Sequence, residues 1–229
     1  MVNEKNMPKF QSIKSISNIV IISLILAISI GGISMISLGS EIALLESLNK
    51  GIDFSDDELD ANDLRVSAIA SIYMIISFSS LILFYIWFYK AYKNLPALGG
   101  KELRFSARWV ILRFFIPILW FYQPYQATRE IWKVSDPQTH ESDKIIRKQM
   151  NTPGLIKGWW ALWIITGMIG WFYLRAMSAM WSVDTIDGFI ALDYMDIFTE
   201  IPMIISNVLT LLLVRKISFN QEKKSQSYA

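Results

Sequence analysis

Long apolar stretches separated by short charged ones set the pattern of this chain. Residues 15–40 are 26 consecutive uncharged positions between Lys14 and Glu41, and residues 66–89 are 24 between Arg65 and Lys90. About 20 apolar residues cross a bilayer core, so these runs predict transmembrane helices over about 16–38 and 66–89. The first follows Lys5, Lys9 and Lys14 in the manner of a secretory signal. Its apolar run is far longer than a signal core, and no small-x-small cleavage site precedes Glu41, so it reads as an uncleaved span. Three weaker apolar segments follow, at 114–128, 158–174 and 201–214. The second of these opens Gly158-Trp159-Trp160 and closes Trp171-Phe172-Tyr173, an aromatic belt at each end, which predicts a third span over 158–174. The last is long enough only if its helix starts near Ile190 and carries Asp193, Asp196 and Glu200 on its outer turns. That gives a fourth span over 190–214.

Composition agrees with this pattern. Of 229 residues, 53% are hydrophobic and 18% charged, against about 25% charged in an average soluble domain. The net charge of +2 is too small to point to nucleic acid, and the absence of cysteine removes disulfides and thiolate chemistry. Lys and Arg then set the orientation. The connection 39–64 has eight acids and one base, Lys50, whereas 90–108 has Lys90, Lys93, Lys101, Arg104 and Arg108. The linker 126–157 is also basic, and so is the tail, with Arg215, Lys216, Lys223 and Lys224. The positive-inside rule puts residues 1–15, 90–108, 126–157 and the tail 215–229 in the cytoplasm, and the acidic loop 39–64 outside.

With both flanks inside, the apolar stretch between them does not cross. Residues 109–125 carry Arg113, Pro117, Gln123 and Pro124. Proline removes a backbone donor and disfavours helix before it. Freed backbone groups at membrane depth persist only against protein or water. The expectation is a broken element, a re-entrant or in-plane hairpin, inside one transmembrane domain over 16–214.

The segment from Tyr85 to Asp136 carries a family resemblance. Its landmarks are Trp87-Phe88-Tyr89-Lys90-Ala91-Tyr92-Lys93-Asn94-Leu95-Pro96, then Leu98-Gly99, Arg104-Phe105-Ser106 and Trp109. Ile116-Pro117-Ile118, Pro124-Tyr125-Gln126 and Arg129 to Pro137 follow, with Trp159-Trp160-Ala161-Leu162-Trp163 after a linker. In this order they resemble the bacterial membrane family called domain of unknown function 4328, over roughly Tyr73 to Leu213. The resemblance implies a membrane architecture and no assigned activity. One departure is Trp120, where the family's Pro-x-x-Asn pattern implies asparagine.

Several constellations are candidates for chemistry. Tyr89, Tyr92, Asn94 and Pro96 stand where the second span ends. Two interfacial tyrosines, a local cap from Asn94 and a proline stop account for them, with a ligand site as the competing reading. If the broken element reverses near residue 120 or 121, Arg113 and Glu130 come to similar depth. They then form a buried ion pair, or meet headgroups separately. In the last span Asp193, Asp196, Glu200 and Asn207 fall within about 60° of one helix face. Glu200 stands about 21 Å from the inner end, at 1.5 Å per residue. Such a stripe is either a polar path for cations or protons, or a wet outer mouth paired with Arg175. Ser23, Ala27 and Gly31 recur at every fourth position and suit close helix packing, within the chain or between copies.

Other features point to little chemistry. His140, Glu141 and Asp143 in the linker are too few for a metal site, and Lys144, Arg147, Lys148 and Lys157 suit anionic headgroups. Residues 53–63 are acidic but lack the glycine and glutamate positions of a calcium loop, so they read as a solvated loop. No HExxH, GxSxG, phosphate loop or dinucleotide fingerprint occurs. The expectation is therefore an all-α, multi-pass protein of the bacterial inner membrane with both termini cytoplasmic, non-enzymatic, without cofactor or metal. Its partners are the lipid bilayer, anionic headgroups at the cytoplasmic face, and a second copy or another membrane protein. The first functional reading is an interaction or scaffold module. The second is a small transporter or channel for a cation or proton.

Overall fold

The computed structural model describes residues 9–116, 118–139, 149–179 and 185–227. Pro117 and the linker candidates His140, Glu141, Asp143, Lys144, Arg147 and Lys148 lie outside the described residues. The fold is all-α, with no β-strand among the described residues. Helix α1 is Lys14–Asn49, α2 Asp56–Lys93, α3 Ala107–Leu112, α4 Gln123–Ser135, α5 Gly154–Ala179 and α6 Ile186–Gln226. Short 3-10 turns occupy Pro96–Leu98 and Leu119–Phe121. Four of the helices, α1, α2, α5 and α6, are long and apolar enough to cross a membrane. Their outward faces carry large apolar side chains such as Ile36, Phe78, Leu174 and Phe198, as a lipid-facing surface requires.

The helices overrun the expected spans. Residues 39–64 are mostly helical, because α1 continues to Asn49 and α2 already begins at Asp56. Its start is a capping box. Ser55 N–H and Oγ–H both donate to Glu58 Oε2 (2.9 Å each), and Glu58 N–H donates back to Ser55 Oγ (3.4 Å). Asp56, Asp57 and Glu58 in the first turn also suit the positive end of the helix dipole. The expectation of a solvated loop over 53–63 is corrected in this respect: the acids there are a helix start.

The described chain divides into two compact units. The first comprises Met1–Ile22, Ser80–Trp160 and Leu209–Ala229. Its core is aromatic: Phe114 meets Phe88 edge-on at 5.2 Å, and Phe84 lies 5.6 Å from Trp87 and 6.2 Å from Trp159. The end of α6 ties this unit together through helix termini. Glu222 Oε1 accepts from Ser12 Oγ–H (2.7 Å) and Ile13 N–H (2.8 Å) at the start of α1. Gln221 Nε2–H donates to the Ala91 carbonyl in the last turn of α2 (2.9 Å), and to Ser135 Oγ at the end of α4 (3.0 Å). Lys224 Nζ–H donates to the Val134 carbonyl (2.7 Å). Orphan groups at helix ends need such partners, and a cation suits a C-terminus. The stretch 215–226 is therefore packed helix and not a free tail.

The second unit comprises Ser23–Ser79 and Ala161–Val208. Along α1 its buried positions are Leu24, Ala27, Gly31, Leu38 and Ile42, mostly three or four residues apart. That is one packed face of a helix. Gly31 is a point of close approach to α6: a Cβ there would stand 3.3 Å from Glu200 Cδ and nearer still to Oε1.

Candidate functional site

The acidic stripe of α6 is built into the second unit. Asp193 and Glu200 are 9% and 8% exposed, so both carboxyls are withdrawn from solvent. Asp196 is half-buried between them, and the offsets of three and four residues keep all three on one face. Asn207 is half-buried further along the same helix. Other helices complete the surroundings. From α1, Glu41 comes within electrostatic range of Asp193, and Ser37 lies one turn before it, buried. From α2, Tyr73 stands beside Glu200 and Ser77 beside Tyr73. From α5, Tyr173 stands beside Asp196.

What sets this cluster apart is unmet hydrogen bonding. Ser37 Oγ, Glu41 Oε2, Tyr73 Oη, Ser77 Oγ, Asp193 Oδ2 and Glu200 Oε1 are all buried without a partner in full hydrogen-bond geometry, although Tyr73 lies close enough to interact with Glu200 and Ser77, and Asn62 with Glu41. Buried polar atoms in folded proteins are nearly always paired, and an unpaired one costs about 1–3 kcal/mol. Six such atoms in one unit, contributed by three helices, make this the most polar buried cluster described in that unit. Arg65 of α2 acts on Glu41 together with Asp63, and its Nη2–H donates to Asn62 Oδ1 (2.6 Å). Arg175, the expected partner of the stripe, is exposed and lies over the Trp171 ring at 5.9 Å.

The remaining candidates resolve into packing in the first unit. Arg113 Nη1–H donates to Gln123 Oε1 (2.6 Å), and its guanidinium lies over the Phe105 ring at 4.7 Å. Glu130 Oε2 accepts from Tyr92 Oη–H (2.5 Å), and its carboxylate from Arg104 N–H (3.1 and 3.2 Å). Arg113 and Glu130 are thus placed with other partners instead of with each other. Tyr92 is buried, so it is a core clamp and not an interfacial anchor; Tyr89 is half-buried. Asn94 does not cap its own helix. Its Oδ1 accepts from Gln11 N–H (3.1 Å), and its Nδ2–H donates to Gln11 O (2.8 Å) and Gln221 Oε1 (3.2 Å). Pro96 opens the following 3-10 turn, and Gly99 at φ 81° takes the left-handed turn.

The helix is interrupted between Leu112 and Gln123, inside the stretch 109–125 where a broken element was expected. Pro124 lies in the first turn of α4, where proline starts a helix well. The distortion falls at Ile118, whose φ of 72° is rare for a β-branched residue. Nearby, Lys133 is buried and donates to the Met150 carbonyl. Burial and the neighbouring Arg129 guanidinium pull its ammonium below the usual lysine range.

The landmarks of this unit are those of a known family. The sequence model described as Domain of unknown function (DUF4328) matches residues 50–218. The chain belongs to that family. The DUF4328 match is somewhat longer than the stretch from Tyr73 to Leu213 that carried the resemblance. It includes Tyr73, Ser77, Tyr173, Asp193, Asp196 and Glu200, whereas Gly31, Ser37 and Glu41 precede it. No curated protein and no solved structure matches the chain.

Proposed function

We propose that this DUF4328 protein is a membrane-embedded cation handler, binding and passing protons or monovalent cations at the acidic cluster of α6. The single observation that supports this reading is the set of buried, unpartnered oxygens on Glu41, Asp193 and Glu200, within helices long enough to cross a bilayer. Ionisable groups at membrane depth are costly, and where they persist they mark ion pathways or proton relays.

The interaction-module reading loses a support. Ala27 and Gly31 are buried within the chain, so these two positions of the small-residue stripe of α1 serve internal packing. The protein is read as non-enzymatic. It resides in a bacterial inner membrane with both termini in the cytoplasm, and its basic connections meet anionic headgroups. The acidic site then opens toward the outside, where α1 and α2 carry their acids.

The test is charge movement in vesicles containing the purified protein, followed with a potential-sensitive dye after an ion gradient is imposed. Wild type is expected to move charge, and Glu200→Gln to fall to the level of empty vesicles. An electrically silent wild type that forms a stable oligomer contradicts the reading and restores the interaction module.

A further inference from the structure

We infer that the species carried is the proton, passed along α6 between an entry station at Glu41 and Asp193 and an inner station at Glu200. The inference rests on the cation-handling reading above and narrows its substrate class. Three features of the site carry it.

The first is ligand number. A hard metal cation such as calcium takes about six to eight oxygens around one point. Among the described residues, no three Asp, Glu or His side chains come together in a way that can hold a metal ion. The acids are strung along the helix, with one unpartnered oxygen each on Glu41, Asp193 and Glu200. One free oxygen per carboxyl suits one proton per carboxyl.

The second is the company each acid keeps. Glu200 sits beside the Tyr73 phenol, with Ser77 next to it, and Asp196 beside the Tyr173 phenol. Hydroxyls both donate and accept, so they pass a proton along where a backbone carbonyl cage would strip water from a metal ion. Cβ atoms three and four residues apart on a helix are about 5–6 Å from each other, a gap that one hydroxyl or one water bridges.

The third is Gly31. The missing side chain makes the notch into which Glu200 Oε1 fits against the α1 backbone. An oxygen pressed against an apolar helix face has room for a hydrogen and little room for a hydrated metal ion.

The charged groups around the relay are placed accordingly. Arg65 and Asp63 of α2 act on Glu41, at the entry station. Glu200 has Asp196 on its own helix and Tyr73 from α2 as titratable neighbours. In each step a carboxyl O–H gives its proton to the next carboxylate through a bridging hydroxyl or water. The donor becomes a carboxylate and is refilled from the entry side, and Glu200 releases its proton through water past Asn207, half-buried further along α6, toward the inner end. No bond to carbon changes and no electron is transferred.

The experiment uses vesicles containing the full chain, loaded with a pH-sensitive dye and bathed in N-methylglucamine salts without alkali cations, with the membrane-permeant anion thiocyanate to carry the compensating charge. An outside pH step is imposed, with protein-free vesicles as the control for leak. Uptake of radioactive sodium and rubidium is measured in parallel on the same preparation. The relay predicts a dye response at least tenfold above empty vesicles, lost in Glu200→Gln and retained in part in Glu200→Asp, with no alkali uptake. Alkali uptake with a silent dye overturns the proton inference while leaving the cation-handling reading intact. Silence in both arms overturns both.

Discussion

Glu200 Oε1 of α6 occupies the space where a Cβ on Gly31 of α1 would stand, closer than the 3.0 Å that real Cβ contacts keep. The acid therefore owes its position to the absence of a side chain on the facing helix. Ile204 Cγ1, 3.4 Å from the same point, adds no further obstacle.

Gly31→Ala separates positioning from folding. The colliding atom is the far end of a flexible side chain, so the carboxylate swings aside and the helices stay packed. Expression and melting in detergent are expected to stay near wild type, while flux falls by about tenfold or more, as misplacement by about 1 Å does in other preorganised sites. Unchanged flux contradicts the positioning of Glu200 by Gly31.

Asp193→Asn and Glu200→Gln test what the acids cost. Neither has a partner for one of its oxygens, so replacing the carboxyl by an amide of equal shape removes no bond through that atom. Melting temperatures in detergent at neutral pH are expected to be equal to or above wild type. A loss of about 3 kcal/mol or more would be the mark of a broken buried pair and would make the acids structural.

In the first unit the contact to break is Tyr92 with Glu130. A double-mutant cycle with Tyr92→Phe and Glu130→Gln is expected to show coupling of about 1 kcal/mol or more, as hydrogen bonds to charged groups do. The same cycle with Arg113→Ala and Glu130→Gln is expected to show coupling below about 0.5 kcal/mol, the additive limit for residues without a direct contact. Strong Arg113–Glu130 coupling would restore the ion pair.

Asn94→Ala removes a clamp between chain segments far apart in sequence. It leaves Gln221 Oε1 without its partner in a buried place and the Gln11 backbone without its partner in a part-buried one, at a cost of about 1–3 kcal/mol. Guanidinium or detergent titration of the purified protein measures it. A cost no larger than that of an exposed Asn→Ala change contradicts the clamp.

Sidedness is open to thiol labelling, because the chain has no cysteine. Asp57, Gln138 and Gln226 are exposed and serve as sites for single cysteine substitutions. On intact cells an impermeant reagent is expected to reach Asp57→Cys alone. If Gln138→Cys and Gln226→Cys both label along with Asp57→Cys, residues 109–125 cross the membrane, and if they fall on opposite sides α5 or α6 does not span; either result redraws the orientation.

The sequence made the four long helices legible because lipid imposes one simple demand, an unbroken apolar run. It also placed Asp193, Asp196 and Glu200 on one face, since helical periodicity alone decides that. The partners from α1, α2 and α5 were not legible. Glu41 and Tyr73 come to the acids through packing between segments far apart in sequence, and no local spacing encodes it. Gly31 was visible as a small residue in a stripe, but its role in admitting Glu200 needs the facing helix. The start of α2 was legible in principle, since Ser55-x-x-Glu58 is a capping-box pattern, hidden among acids that suggested a solvated loop. The Arg113–Glu130 pair failed because equal distance from a bend says nothing of what lies between. Here Phe105 takes one partner and Tyr92 the other.

The most direct measurement of the central claim is chemical modification of Glu200 in native membranes. An apolar carbodiimide takes up a carboxyl proton, is attacked by the resulting carboxylate and rearranges to a stable acylurea that mass spectrometry locates. A membrane-buried acid that holds a proton is expected to react with the apolar reagent and to resist a water-soluble one, so Glu200 should carry the adduct. Adducts confined to exposed acids such as Asp56, Asp57 and Glu58, with Glu200 unmodified by the apolar reagent, would contradict the account.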